Sequence, residues 1–192
     1  MFNRANVELI PHGVARITAT GLVDATGVER ASDIIICATG FDVERFISVF
    51  PVQGQGGLAL NDAWAEGAQA YLGITTSGFP NMFMLYGPNT NNNSILWMLE
   101  CQSDYVVRQL QRMDAEGAVS IDVRPEAMDA YNRTLADEIA KVKIWAAGCH
   151  NYYSNAAGRV VTQYPHNMTR YRDDTSNDDW EVYRVEHRAV AD

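Results

Sequence analysis

Asp33-Ile34-Ile35-Ile36-Cys37-Ala38-Thr39-Gly40-Phe41-Asp42 is the stretch on which the reading of the fold turns. Four apolar residues follow an acid and run into a small, glycine-ended turn. An uninterrupted apolar run of this kind reads as a strand over residues 33–38, buried on both faces. It would end at the mouth of an α/β sheet, where cofactors bind. Gly78-Phe79-Pro80-Asn81 and Gly87-Pro88-Asn89-Thr90-Asn91 belong to the same reading further along the chain. An apolar run with a glycine turn is a common signal, so on residues alone a nucleotide site is one option among several.

Working outward, residues 7–10 and 14–20 are short β-type runs split by Pro11-His12-Gly13, and residues 21–32 read as a hairpin turning near Thr26-Gly27. Gly54-Gln55-Gly56-Gly57 lacks the spacing of a dinucleotide fingerprint and is followed by Leu58-Ala59-Leu60-Asn61-Asp62, so it reads as a turn. Residues 82–86 form a second compact apolar run, predicted as a strand and ended by Gly87-Pro88. A helix follows: Ile95, Leu99, Val106, Leu110 and Met113 recur at helical spacing, Leu96 and Met98 broaden the stripe, and Gly117 supplies a stop. Asn93 or Ser94 has the chemistry of its N-cap. Residues 119–123 read as a strand. Pro125 then opens a helix with Met128, Tyr131, Leu135, Ile139 and Val142 on one face. Beyond Ala146 the pattern gives way to aromatic-rich loops and an acidic stretch over 173–179, with a last strand within 180–185.

The chain's 192 residues suffice for a real core, and 47% hydrophobic with 20% charged residues is ordinary for a globular protein. A net charge of −9 without a basic cluster argues against nucleic acid. Cys37, Cys101 and Cys149 are odd in number and lack a Cys-x-x-Cys, which fits reduced thiols in the cytoplasm. No signal peptide or membrane span is expected. His12, His150, His166 and His187 lack metal-ligand spacing, and no nucleophile elbow occurs. Cys101 sits beside Glu100 on the predicted helix, an arrangement that disfavours a thiolate. Glu100 and Asp104 share that helix's face as a solvated or capping pair.

One arrangement has a cofactor rationale: strand, asparagine-rich loop, helix N-terminus. Unpaired amides at Ser94, Ile95 and Leu96 and the positive end of the helix dipole suit an electron-rich oxygen or a developing negative charge. Asn91, Asn92 and Asn93 add hydrogen-bonding amides without net charge. The same residues equally suit simple helix capping.

Ala38-Thr39-Gly40-Phe41-Asp42 resembles the ATG motif of flavin-dependent monooxygenases of the FMO and Baeyer–Villiger group. The segment from Phe79 to Asn91 is similar to the one those enzymes carry about forty residues later, in a subset that includes cyclohexanone and hydroxyacetophenone monooxygenases. Trp145, Gly148 and Cys149 with the loop after them resemble the family's Trp-x-x-Gly-Cys-x-Ser-Trp-Tyr. This chain departs from it with Asn151-Tyr152 for Ser-Trp, and has Tyr164-Pro165-His166 where Trp-Pro-Gly is usual.

The resemblance implies an α/β chain: part of an FAD- and NAD(P)-binding Rossmann-like fold, lacking both N-terminal Gly-rich βαβ units. Residues 1–38 would close the NADPH-binding domain, and residues 39–192 would be the carboxy-terminal part of the FAD-binding domain with its substrate-pocket loops. It further implies that Thr39, Gly40, Phe41, Asn91, Asn93, Ser94 and Ile95 face the cofactor, and that Trp145, Tyr152 and Tyr153 lie near the nicotinamide and substrate. The intact enzyme would use FAD and NADPH to insert one oxygen atom from O2 into a ketone or soft heteroatom, such as a sulfide, through a flavin C4a-peroxide. The chemistry belongs to the cofactor, so no catalytic side chain is assigned here. The isolated chain is expected to be inactive. The alternative is a non-catalytic module completing the flavin site of a separate amino-terminal polypeptide.

Overall fold

A computed structural model describes residues 2–40, 46–47, 50–146, 153–155 and 157–188. The chain divides into two compact units, residues 1–40 and 41–192.

The first unit is an antiparallel meander of β1 (Val14–Ile17), β2 (Gly21–Asp24) and β3 (Glu29–Ala31). Its second turn is built on Asp24. One carboxylate oxygen of Asp24 accepts from the Thr26 amide at 2.9 Å, the Thr26 hydroxyl at 2.5 Å and the Val28 amide at 3.2 Å. Arg30 lies 3.4 Å from the other oxygen. These bonds satisfy the amides that the turn withdraws from the ladder, as aspartate does in turns. The hairpin expected over 21–32 is therefore present. Residues 7–10 form no strand.

The strand expected at 33–38 is also absent. The segment belongs to no ladder, and Ile34 and Ile36 are 80% and 84% exposed. A strand buried on both faces needs neighbours and covering layers, and the first unit offers this segment neither. The run has the composition of a buried strand; the partners are what the structure lacks.

In the second unit, a short α1 (Leu60–Ala63) is followed by α2 (Ile95–Glu116), β4 (Ala118–Val123), α3 (Pro125–Ala140), α4 (Lys143–Ala146), α5 (Met168–Ser176) and β5 (Tyr183–His187). The strands β4 and β5 pair antiparallel, with Ile121 opposite Val185 and Val123 opposite Tyr183. The described residues hold no parallel ladder; one isolated parallel bridge joins Asn91 to Gln163. The architecture is mixed α/β with small sheets. Residues 82–86, expected as a strand, belong to no ladder; the Met84 amide bonds to the Ile74 carbonyl at 2.8 Å, and the segment ends in a bend at Leu85 and Tyr86.

Helix α2 begins at Ser94, whose hydroxyl accepts from the Trp97 amide, and stops at Gly117, which takes the left-handed conformation (φ 67°) that closes a helix. Its buried face differs from the apolar stripe. Met98, Cys101, Gln102, Tyr105, Gln109 and Met113 point inward, whereas Leu96 and Leu110 are 74% and 49% exposed. The polar members are buried because each has partners there. Gln102 bonds to the Tyr86 amide (2.7 Å) and the Tyr171 hydroxyl (2.9 Å), and Gln109 to Asp179 (3.1 Å). Hydrogen-bond demand from other segments thus rotates the helix away from its apolar stripe.

Two clusters make the core. Leu72, Ile74, Tyr105, Met113, Ile121, Val123 and Tyr183 pack between α2 and the β4–β5 pair. Met98, Cys101, Leu135, Tyr164 and Tyr171 pack between α2, α3 and α5. A buried polar chain threads the first cluster: the Tyr105 hydroxyl lies 2.8 Å from Asp179 and 2.6 Å from the Tyr183 hydroxyl. Burial raises the Asp179 carboxyl above its ordinary range, and the bonds from Tyr105 and Gln109 oppose that rise. Helix α5 has no counterpart among the sequence expectations. Asn167 caps it by accepting from the Arg170 amide at 2.8 Å, Tyr171 and Thr175 bury one face, and Arg170 pairs with Asp174 one turn on.

Candidate functional site

The turn from Tyr86 to Ser94 is held in a shape that an ordinary loop would avoid. Tyr86, Asn89 and Asn93 all have positive φ (61°, 55° and 42°), a region that costs a side-chain-bearing residue roughly 1–3 kcal/mol unless its surroundings impose it. The surroundings do. The Tyr86 amide donates to buried Gln102, and the Asn89 carboxamide donates to the carbonyls of Val160 (2.9 Å) and Gln163 (3.1 Å). The Asn91 amide donates to Thr162, and the Tyr164 amide returns a bond to the Asn91 carbonyl. Asn92 donates to the carbonyls of Tyr164 and His166. Gly87 packs so closely on Gly73 that a Cβ would strike the Gly73 carbonyl, so this crossing requires glycine.

The asparagines therefore divide their work. Asn89 and Asn92 fasten the turn to residues 160–166. The Asn91 and Asn93 side chains make no hydrogen bond among the described residues, and Asn93 is exposed. Of the two candidate N-caps, Ser94 is the one used. In the first turn of α2 the amides of Trp97 and Met98 are taken by Ser94, while those of Ile95 and Leu96 have no acceptor among the described residues.

Among the described residues, two buried polar atoms also lack a partner: the indole N–H of Trp97, in that same turn, and the hydroxyl of Thr162, whose backbone holds Asn91. Exposed Leu85 and Leu96 and the half-exposed Tyr86 and Ile95 supply apolar surface on the same stretch of chain. Burial raises the Tyr86 phenol.

Unpaired donors at a helix N-terminus, a rigid strained turn and apolar flanks can take a planar, electron-rich ring by its oxygen-bearing edge. The residues fit a flavin on three counts: the free amides, the orphaned polar atoms and the absence of a charged side chain over residues 85–99. Gln102, Trp97 and Thr162 are participants that sequence reasoning misses. Gln102 carries a signal, being a polar residue seven positions before Gln109 and flanked by Cys101 and Tyr105 on the inward face.

Thr39 and Gly40 end the first unit and are exposed. Phe41 and Tyr152 lie outside the described residues, as does Cys149. Trp145 is half-buried on α4, and the Tyr153 carbonyl accepts from the Val161 amide at 3.1 Å. Cys101 is buried, and its thiol is raised first by burial and then by Asp104, which rules out an activated nucleophile. The described residues hold no cluster of three metal-ligating side chains. Among the described residues, no helix is long and apolar enough to cross a membrane.

The chain is similar to FAD-binding and Baeyer–Villiger monooxygenases. An FAD-binding monooxygenase of Aspergillus niger is 35% identical over 184 residues, covering 93% of this chain and 30% of its own length. A Baeyer–Villiger monooxygenase of Pseudomonas aeruginosa is 37% identical over 185 residues, covering 94% of this chain and 35% of its own. Among solved structures, cyclohexanone monooxygenase from a Rhodococcus species, bound to NADP+, superposes with a TM-score of 0.80 at 26% identity over 97% of this chain and 37% of that one. A steroid monooxygenase bound to NADP gives a TM-score of 0.74 at 28% identity, with the same coverages of 97% and 37%. No family model matches.

In fold and sequence the chain is similar to flavin-dependent monooxygenases. It corresponds to the carboxy-terminal part of Baeyer–Villiger-type enzymes. The chain spans about a third of the length of the curated relatives it matches.

Proposed function

We propose that this chain forms the ring-facing wall of the flavin cleft in an FAD- and NADPH-dependent monooxygenase that inserts one oxygen atom into a small ketone or sulfide. One observation carries the reading: the strained Tyr86–Ser94 turn delivers the unpaired amides of Ile95 and Leu96 to the open end of a 22-residue helix. Those amides, with the adjoining Asn91 and Asn93, would hold the flavin's pyrimidine edge and favour negative charge there. When bound, the flavin supplies the oxygen chemistry and NADPH the reducing equivalents. The chain's own part is to orient the ring and to exclude water with Leu85, Tyr86 and Leu96.

Residues 1–38 would close the NADPH-binding domain, and residues 39–192 would return to the flavin domain. Thr39, Gly40 and Phe41 would form that crossing, with Trp145, Tyr152 and Tyr153 on the nicotinamide and substrate side. A reduced, cytoplasmic setting suits the chain's thiols.

The exposed Ile34–Ile36 run supports a second element of the proposal. Its backbone and apolar side chains call for neighbouring strands, which would come with the Gly-rich units that hold the two diphosphates. Those strands serve equally well on the same polypeptide or on a separate one.

The test joins this chain, as a fusion and as a separate polypeptide, to the amino-terminal two thirds of the Pseudomonas aeruginosa relative. The chain alone is expected to retain no stoichiometric flavin, whereas the joined protein retains it and oxidises NADPH in the presence of a ketone. Replacing Leu96 with proline, which a first helical turn tolerates, removes one proposed donor and should weaken flavin retention without unfolding the helix. A yellow, stoichiometric flavoprotein from the chain alone refutes the reading, as does full flavin affinity in the Leu96→Pro protein.

A further inference from the structure

Beside α3 lies a cavity of about 310 Å³, lined in part by Asn89 of the Tyr86–Ser94 turn. Its wall is largely apolar, formed among the described residues by Leu135, Ala136, Ile139, Trp145 and Val160. Arg159 is its one cationic side chain among them.

This guanidinium is unusual in its company. It is half-buried and forms no ion pair among the described residues. Burial pulls it below the ordinary arginine range, and Glu66, the one acid that opposes the effect, does not approach to salt-bridge distance. With its oxygen turned toward Arg159, the Gln69 carboxamide accepts from both terminal nitrogens. That leaves three of the five N–H donors of the fork without an acceptor among the described residues. A partly desolvated cation served by a single neutral amide is left undercompensated, and a carboxylate matches the open side of a guanidinium with two parallel bonds.

The loop presenting Arg159 is fixed. The Asn155 carboxamide oxygen accepts from the Arg159 amide at 2.9 Å, and the Asn155 amide donates to the Arg159 carbonyl at 2.9 Å. A volume of this size lies at the lower end of small-molecule sites. One positive charge at the edge of an apolar wall selects a ligand of the same pattern.

We propose that this cavity binds a small amphipathic carboxylic acid, its carboxylate on Arg159 and its apolar body against Leu135, Ile139 and Trp145. The cavity shares Asn89 and Trp145 with the residues of the proposed function, but its ligand needs no flavin, so titration of the flavin-free chain tests this site separately from the cofactor reading.

The full 192-residue chain, shown to be folded by circular dichroism, is titrated calorimetrically with 4-phenylbutyrate, its uncharged amide 4-phenylbutanamide, and inorganic phosphate. The carboxylate is expected to bind at one site at least tenfold more tightly than the amide, with no heat from phosphate at the same concentrations. Arg159→Gln should lower the carboxylate's affinity to that of the amide and leave the amide's own affinity unchanged. Ala136→Trp, which fills the cavity from the exposed face of α3, should abolish both. Equal binding of acid and amide, equal binding of phosphate, or no heat from millimolar 4-phenylbutyrate would each overturn the proposal. Should Arg159→Gln fail to fold, Ala136→Trp decides: retained carboxylate binding refutes the site, and loss in a folded protein supports it.

Discussion

Replacing Gln102 with leucine tests whether the core of the second unit dictates the shape of the cofactor-facing turn. The Gln102 side chain is completely buried. Its oxygen takes the Tyr86 amide at 2.7 Å, and its nitrogen meets the Tyr171 hydroxyl at 2.9 Å, which itself donates to the Leu72 carbonyl at 2.7 Å. Leucine keeps most of the volume and removes both bonds. Two net hydrogen bonds are worth about 2 kcal/mol together, and stranding the part-buried Tyr86 amide adds roughly 1–2 kcal/mol. The extra apolar burial returns about 1 kcal/mol. Urea denaturation followed by circular dichroism should therefore show a loss of about 2–3 kcal/mol at unchanged m-value. The turn should loosen with it, because Tyr86 holds a positive φ that nothing local favours. Faster exchange of the amides of residues 86–91 in the folded protein would show this. A loss below about 0.5 kcal/mol, far under the hydrogen-bond sum above, would refute the claim that Gln102 is what fixes Tyr86.

Three further outcomes are expected. In the first unit, the hydrogen bond from the Thr26 hydroxyl, aided by the Val28 and Thr26 amides and by Arg30, lowers the Asp24 carboxyl to about 2. A depressed folded value means that this contribution is complete above the ordinary aspartate range and is lost as pH falls from about 4 toward 2. The amide shifts of Thr26 and Val28 should titrate with a midpoint near 2, and Asp24→Ala should abolish that titration. Gly117→Ala places no atom against a neighbour, so only the left-handed backbone resists it; urea unfolding should show a cost of about 1 kcal/mol. Gly73→Ala adds a Cβ that strikes the Thr90 methyl and the Pro88 carbonyl at φ 70°. Denaturation should show a loss clearly larger than that of Gly117→Ala, and equal losses would refute the packing argument.

Local chemistry is the most legible part of the fold. Gly117 and Pro125 mark boundaries by backbone geometry that no tertiary context overrides, and the ends of α2 and α3 fall there. The Thr26-Gly27 turn is legible for the same reason. The two apolar runs are not, because a strand is defined by its neighbours. Ile34–Ile36 has none in its unit, and residues 82–86 gain a single bond from Ile74. The inward face of α2 escapes the apolar pattern for the opposite reason. Gln102 and Gln109 are drawn inside by an amide and a carboxylate 16 and 70 residues away, and no hydrophobic periodicity registers such a demand. Helix α5 is only nine residues long and mostly polar, so its cap at Asn167 is the one usable sign.

The site shows why a motif can be legible when its geometry is not. Gly87-Pro88-Asn89-Thr90-Asn91 stands out by its residue types alone, yet its shape rests on carbonyls at Val160, Thr162 and Gln163 that no local rule connects to it. The turn thus depends on contacts about 70 residues away in sequence, and it remains strained at three side-chain-bearing positions. Simple helix capping would need Ser94 alone. A turn serving only that purpose gains nothing from left-handed Tyr86 and Asn89, nor from leaving the Trp97 indole and the Thr162 hydroxyl buried without partners. Those costs fall on the turn, on the first turn of α2 and on a residue whose backbone holds Asn91, which is the pattern the proposed ligand wall would require before its ligand arrives.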